Sequence, residues 1–332
     1  MKVLVTGSSG HLGEALMRVL RLDPGLHAVG LDINASPFTD VVGSITDPKC
    51  VSACMEGVGV VYHTATLHKP HVATHSKQNF INTNISGTLN LLEAAVAAGV
   101  SSFVFTSATS VFGDAMRPDP GQPAAWVTEN TKPIPRNIYG VTKTAAEDLC
   151  HLFHRKHGLN CIILRTSRFF PEEDDDPIWR ESFTDANLKA IEFLYRRAEI
   201  EDVVNAHLKA AAKAPELRFG RYIVSATTPF RHEDMLELNS NAVDVVRRRI
   251  PQYQEIFDAI GWRMLDRIDR VYFNEAARTD LGWIPEYDFI RVLQQYLASH
   301  DISSPLAAAI GAKGYDNETY SDGPYPVRGE LT

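Results

Sequence analysis

Short apolar runs alternate with helix-length amphipathic segments through the first half of the chain. "KVLVTG", "HAVGLDI", "VGVVYHTA", "SSFVFTSA" and "NCIILRTS" are compact runs rich in β-branched and aromatic residues, and they read as strands. Between them lie four helix-like segments. "HLGEALMRVLRL" repeats apolar residues at helical spacing, and "DPKCVSACMEG" opens on an Asp-Pro start signal. "NTNISGTLNLLEAAVAAGV" carries a long apolar stripe that stops at Gly99, and "YGVTKTAAEDLCHLFHRKHG" stops at Gly158. Strands apolar on both faces, each followed by a helix, predict an α/β fold: a doubly wound parallel sheet with helices on both sides.

After Ser167 the pattern changes. "RFFPEEDDDPIW" is a charged, Pro-bounded loop; "IEDVVNAHLKAAAKA" is helical and "GRYIVSATT" strand-like. The remainder mixes short helices with Pro-rich turns. These shifts divide the chain into residues 1–166, a domain that regains segments from about 200–228, and residues 167–302, a smaller α/β domain; the resemblance given below implies that the first binds the cofactor and the second mainly the substrate. Residues 303–332, rich in Gly, Pro and polar residues, read as a C-terminal arm.

Composition narrows the function. With 332 residues and an ordinary apolar content, the chain can bury a full core. The net charge of -8 and the absence of a Lys/Arg-rich run argue against nucleic acid as a partner. No stretch approaches the ~20 apolar residues of a membrane span. Met1 leads directly into the first strand rather than a signal peptide, and the four cysteines show no metal or redox spacing, so a cytoplasmic location is expected.

The first candidate chemistry is a glycine turn. "VLVTGSSGHLGEAL" sets Gly7, Gly10 and Gly13 directly after the first strand and into a helix, with Ser9, His11 and Leu12 between them. Such a turn lets the backbone approach a pyrophosphate, and the helix N-terminus faces its charge. Asp32, at the end of the second strand, can bind both adenosine ribose hydroxyls and repel a 2'-phosphate, which favours NAD over NADP. The second is "IYGVTK". Tyr139 and Lys143 stand four apart on one helix face, where an ammonium favours the phenolate and so suits Tyr139 to accept a proton.

These motifs carry a resemblance that covers most of the chain, to about Phe289. Together with "HTAT", "TSATSVFG", "IEDVVNAH" and "RTDLGWIPEYDF", the chain resembles an extended short-chain dehydrogenase/reductase of the NAD-dependent epimerase/dehydratase type. The resemblance implies a Rossmann-type sheet, bound NAD, a sugar or nucleotide-sugar substrate in the C-terminal domain, and a homodimer built on the long helices. It implies that Gly7, Gly10 and Gly13 line the pyrophosphate and Asp32 the ribose. It places Ser44 and Ile45 at the adenine, Ala65 and Thr66 along the sugar-phosphate, Asn84 in the helix behind the site, and Ser167 at the nicotinamide amide. Ser44 stands where the family often has Asp.

Two departures bear on activity. The family's catalytic Ser or Thr falls on Ala108, whose methyl group cannot hydrogen-bond a substrate oxygen. Either the chain was altered there, or a hydroxyl from Ser107, Thr109 or Ser110 replaces it; strand neighbours point to opposite faces, which constrains the choice. Arg168 replaces the Asn that usually grips the diphosphate side, and Arg196 and Arg197 lie near, but out of register with, a second diphosphate-binding Arg. Arg168 and Arg197 are thus candidate substrate ligands, with a salt bridge from Arg168 to the Glu172–Asp176 run as the alternative. His68, in the loop "HTATLHKPHVATH", is a further substrate candidate; of the four histidines there only His71 and His75 have a usual metal spacing, and no metal site is expected. Trp126 fits the substrate pocket or the core equally well.

The expected function is therefore NAD-dependent sugar or nucleotide-sugar epimerisation, with Tyr139 as base. Thr109 and Ser110 stand where a dehydratase has Asp-Glu, which disfavours dehydration. Two alternatives stay open: a net dehydrogenase of a free sugar acid or other hydroxy compound, prompted by Arg168, and a non-catalytic NAD-binding regulator, prompted by Ala108.

Overall fold

A computed structural model describes residues 1–174 and 176–313. Nine strands occur among them: β1 (Lys2–Thr6), β2 (His27–Asp32), β3 (Val41–Val42), β4 (Val58–His63), β5 (Ser102–Ala108), β6 (Ala125–Val127), β7 (Cys161–Thr166), β8 (Phe219–Val224) and β9 (Arg270–Tyr272). Seven form one sheet in the order β3-β2-β1-β4-β5-β7-β8, parallel throughout. The order reverses beside β1, and such a switch point opens a crevice at the carboxyl ends of the strands. Thr6 stands level with Leu31 and His63, and Ala108 with Thr166, so the segments leaving these strands converge on that crevice.

Helices α1 (His11–Leu20), α2 (Pro48–Met55), α3 (Lys77–Phe80), α4 (Gly87–Ala98) and α5 (Ile138–His157) belong to the first half. Then come α6 (Pro177–Ser182), α7 (Asp185–Glu192), α8 (Ile200–Leu217), α9 (Met235–Leu238), α10 (Ala242–Arg249), α11 (Tyr253–Ile260), α12 (Glu275–Leu281), α13 (Phe289–Ser299) and α14 (Pro305–Ile310). The two-residue alternation of the strands divides the sheet's core. Val3, Val5, Val104 and Leu164 pack with α1 and α8, while Leu4, Val61, Phe105 and Ile163 pack with α2, α4 and α5. A separate core gathers α7, α10, α11 and α13 around Phe193, Tyr253, Phe257 and Leu293. Trp126 packs there against Phe273, with ring centroids 4.7 Å apart, so its role is in the core rather than the cleft.

The two cores are tied through α8. Buried Asp202 accepts the backbone N–H groups of Glu286 at 2.7 Å and Tyr287 at 2.9 Å, and its carbonyl accepts the Trp283 indole N–H. The expected arm begins as ordered structure: α14 is capped by Ser304, and its Leu306, Ala307 and Ile310 pack onto the first core. The rest of the arm, from residue 314, lies outside the described residues.

Candidate active site

A cleft of about 1410 Å³ follows the crevice from the Gly-rich turn to the second core. At one end the backbone comes as close as sterics allow. Gly7 has φ +73°, and a Cβ there would lie 2.7 Å from Ala65 N; one on Gly13 would lie 1.9 Å from Gly7 O. Only glycine meets both demands. No side chain caps α1 at Gly10, so its first-turn N–H groups are left for another partner. Asp32 closes this end, its carboxylate accepting N–H groups from Ser9 and Asn34, each at 2.9 Å. Ser44, Ile45, Ala65 and Thr66 line the same stretch.

Polar atoms wait for a ligand here. Both ring nitrogens of buried His11 and the Ser167 hydroxyl have no hydrogen-bond partner among the described residues, and both residues line the cleft. Burial lowers the His11 pKa, with Glu172 opposing it. Unpartnered buried polar groups are costly, and a cradle closed to any Cβ beside an uncapped helix is suited to a dinucleotide. The residues present therefore fit NAD.

Asn84 is behind the cleft rather than in it. It lies in a π-helical stretch, Ile81–Ser86, within what the apolar stripe predicts as one regular helix. Its Oδ1 accepts Leu67 N at 2.8 Å and Thr66 Oγ1 at 3.0 Å, while Nδ2 donates to Leu67 O and to Thr142 Oγ1. One side chain thus fixes the loop after β4 to α5.

Tyr139 and Lys143 occupy one face of α5, both buried and both lining the middle of the cleft. The Lys143 ammonium donates to Thr106 O at 2.5 Å and lies 4.2 Å from the centre of the Phe105 ring. Burial lowers its pKa to about 7, against the pull of Glu147, and pushes the Tyr139 phenol up. His68 stacks on Tyr139 with centroids 5.8 Å apart and an interplanar angle of 25°. Burial, then His71, holds its pKa at about 3, so it is a neutral imidazole. Among the described residues no cluster of His, Cys, Asp or Glu has the arrangement of a metal site.

Ala108 reaches the cleft and packs with Tyr139 and Phe80, which puts a methyl group beside the phenol. Ser107 also lines the cleft, but its hydroxyl is already engaged. Its Oγ donates to Glu147 Oε1 at 2.6 Å, inside a buried pair in which Arg165 Nη2 meets Glu147 Oε2 at 2.7 Å. The Ser107 hydroxyl is held by the ion pair between α5 and β7, while Ala108, at the end of β5, packs on Tyr139 of the same helix. Thr109 and Ser110 line the cleft just beyond.

The two arginine candidates are placed differently. Arg197 is not in the cleft; it donates to Glu192 at 2.7 Å and to Phe170 O, and it is almost fully buried. Arg168 does line the cleft but realises the salt-bridge alternative, with Asp174 at 2.8 Å and Glu192 at 3.8 Å. Buried carboxylates must be neutralised, and these guanidiniums do it: Arg168 for Asp174 of the loop, and Arg197 for Glu192 at the end of α7. Sequence reading missed Arg117, Arg136 and Arg270, which line the far end of the cleft. Burial, then Arg136 and Arg270, lower the Arg117 pKa, with Asp114 and Asp269 opposing; Arg136 pairs with Asp114 at 2.9 Å and Arg270 with Asp269 at 3.2 Å. The three arginines come from three distant segments, so no local pattern announces them.

The comparisons with known proteins agree with this geometry. The model of the family described as "NAD dependent epimerase/dehydratase family" matches residues 3–223. The low-salt glycan biosynthesis protein Agl12 of Haloferax volcanii is 25% identical over 311 residues, covering 87% of this chain and 95% of its own. The uncharacterized UDP-glucose epimerase YtcB of Bacillus subtilis is 30% identical over 185 residues, covering 50% of this chain and 55% of its own. The chain thus spans about half the length of that relative. Among solved structures, a short-chain dehydrogenase/reductase superfamily protein from Agrobacterium tumefaciens with bound NAD has a TM-score of 0.64 at 24% identity, covering 90% of this chain and 97% of its own. The UDP-glucuronic acid 4-epimerase of Bacillus cereus in complex with NAD has a TM-score of 0.60 at 20% identity, covering 89% and 96%.

Proposed function

This chain belongs to the NAD dependent epimerase/dehydratase family, its cofactor is NAD, and on that premise we propose that it is an epimerase of a sugar or nucleotide sugar. The observation that carries the proposal is the Tyr139–Lys143 pair, buried in the middle of the cleft between the glycine cradle and an arginine-lined end. When bound, NAD supplies a hydride acceptor and a positive ring. Tyr139 takes the proton from a substrate hydroxyl at its phenolate oxygen and gives it back once the sugar has presented its other face. Lys143 stabilises that phenolate. Burial alone works against ionising either group; the positive ring of bound NAD would favour the Tyr139 phenolate. Thr109 supplies the hydroxyl that position 108 lacks. Arg117, Arg136 and Arg270 face the anionic part of the substrate.

Uronate or another free sugar acid, oxidised with net release of NADH, is the second reading. The arginine-lined end supports it, since a carboxylate suits those guanidiniums as well as a diphosphate does. We also propose a homodimer. Val141 and Leu152 are exposed on one face of α5, and a symmetric helix bundle would cover them.

The test is incubation of the chain and of Ala108→Thr with NAD and a panel of nucleotide sugars and sugar acids, followed by NADH absorbance and sugar analysis. An isomerised sugar without net NADH supports epimerisation, and accumulating NADH supports the dehydrogenase. Binding of NAD without turnover in either form would mark a regulator and sink both enzyme readings. The assignment to Thr109 predicts that Thr109→Val loses about 10²–10³ in rate, whereas Ala108→Thr gains little.

A further inference from the structure

The end of the described chain returns to the cofactor side of the cleft, and nothing in the Gly-rich turn requires it to. Helix α14 lies against α1 and α8; Arg18 donates to Ala309 O at 3.3 Å and Leu306 N to Glu201 Oε1 at 3.0 Å. The segment then passes along the cleft, with Ile310, Ala312 and Lys313 in its wall. The Lys313 ammonium pairs with Glu14 Oε2, and its backbone N–H reaches Glu172 Oε1 at 3.4 Å.

Glu14 is buried in the first turn of α1, one turn from the uncapped Gly10. A carboxylate there suits the helix dipole but repels any anion placed on the same N-terminus. Arg18 meets its other oxygen at 2.7 Å and neutralises it. Lys313 is the second cation on the one carboxylate, and with Glu172 beside it the two cations balance the two carboxylates, whereas without Lys313 the set would be net negative. The Lys313 charge acts on His11, whose two buried ring nitrogens have no partner among the described residues and which opens the same helix.

We propose that the strap Pro305–Lys313 is a working part of the cofactor site, and that Lys313 is the cation the chain brings to the diphosphate of NAD. The helix N-terminus alone offers partial charge; Lys313 adds a full one and, with Arg18, offsets the carboxylates of Glu14 and Glu172 that would otherwise repel an anion. The inference rests on the NAD site described above and adds a segment that lies beyond the family match at residues 3–223.

Fluorescence titration of the full chain with NADH, ADP-ribose and adenosine separates the roles. Lys313→Ala should weaken NADH and ADP-ribose about tenfold, the loss of one charge-assisted contact. It should leave adenosine, which has no phosphate, unchanged. Lys313→Arg should keep most of the affinity, and added salt should weaken the wild type more than Lys313→Ala. The melting temperature of the cofactor-free variant should match the wild type. Unchanged NADH affinity in Lys313→Ala would overturn the proposal. So would an equal loss for adenosine, because the strap would then be a structural clamp. Failure of the wild type itself to bind NADH would instead remove the cofactor site on which the inference rests.

Discussion

At the scale of single residues, the site sets two ionisable groups against their surroundings. Tyr139→Phe should lower kcat by about 10²–10⁴, the usual contribution of a positioned proton acceptor. NADH affinity, read by fluorescence, should stay near wild type, because the cradle is untouched. Lys143 also makes a prediction about stability. Its pKa is about 7 in the folded chain, against roughly 10.4 when unfolded. Between those values the unfolded chain binds more protons, so stability from this group rises with pH across the window. Melting curves at about pH 7 and about pH 9 should show that rise in the wild type and a flatter response in Lys143→Met. An identical slope in both would contradict the assignment. Tyr139, Lys143 and the glycines were legible because their spacing is local. The partner of Ser107 was not, because Glu147 comes from another element, and pairing is decided only when the two elements pack.

At the scale of elements, two joints matter most. The turn from β1 into α1 has no room for a side chain at Gly13, so Gly13→Ala should abolish NADH binding and lower the melting temperature. The joint between α5 and β7 is the buried Glu147–Arg165 pair, whose side chains are 2% and 4% exposed. Removing one partner strands the other, so Glu147→Ala should cost about 3–5 kcal/mol in denaturant unfolding. Strand and helix alternation announced most of the large sheet, since apolar periodicity reports directly which faces are covered. It gave no warning of β3, β6 and β9, each two or three residues long and too short to show a period. Nor did it show the π-helical stretch at Asn84, where a tertiary demand for hydrogen bonds to Leu67 and Thr142 overrides a regular helical pattern.

At the scale of the whole molecule, the cleft lies where the carboxyl ends of the sheet face the second core, and α8 binds the two together. Asp202→Ala would leave two backbone N–H groups unsatisfied in a buried joint and should destabilise the chain by about 2–3 kcal/mol. The proposed dimer makes a separate claim: Val141→Asp with Leu152→Asp should shift the mass measured by light scattering from dimer to monomer. No helix among the described residues is long and apolar enough to cross a membrane. The central claim, however, is that the buried Tyr139–Lys143 pair serves a reversible oxidation. The most direct measurement is bound-NADH fluorescence after the NAD-loaded chain, in excess, is mixed with each sugar of the panel. The account predicts a signal that rises and then falls as the isomerised sugar forms, and none with Tyr139→Phe. A signal that rises and stays would mean net dehydrogenation, and the same transient in Tyr139→Phe would contradict the role given to the phenol.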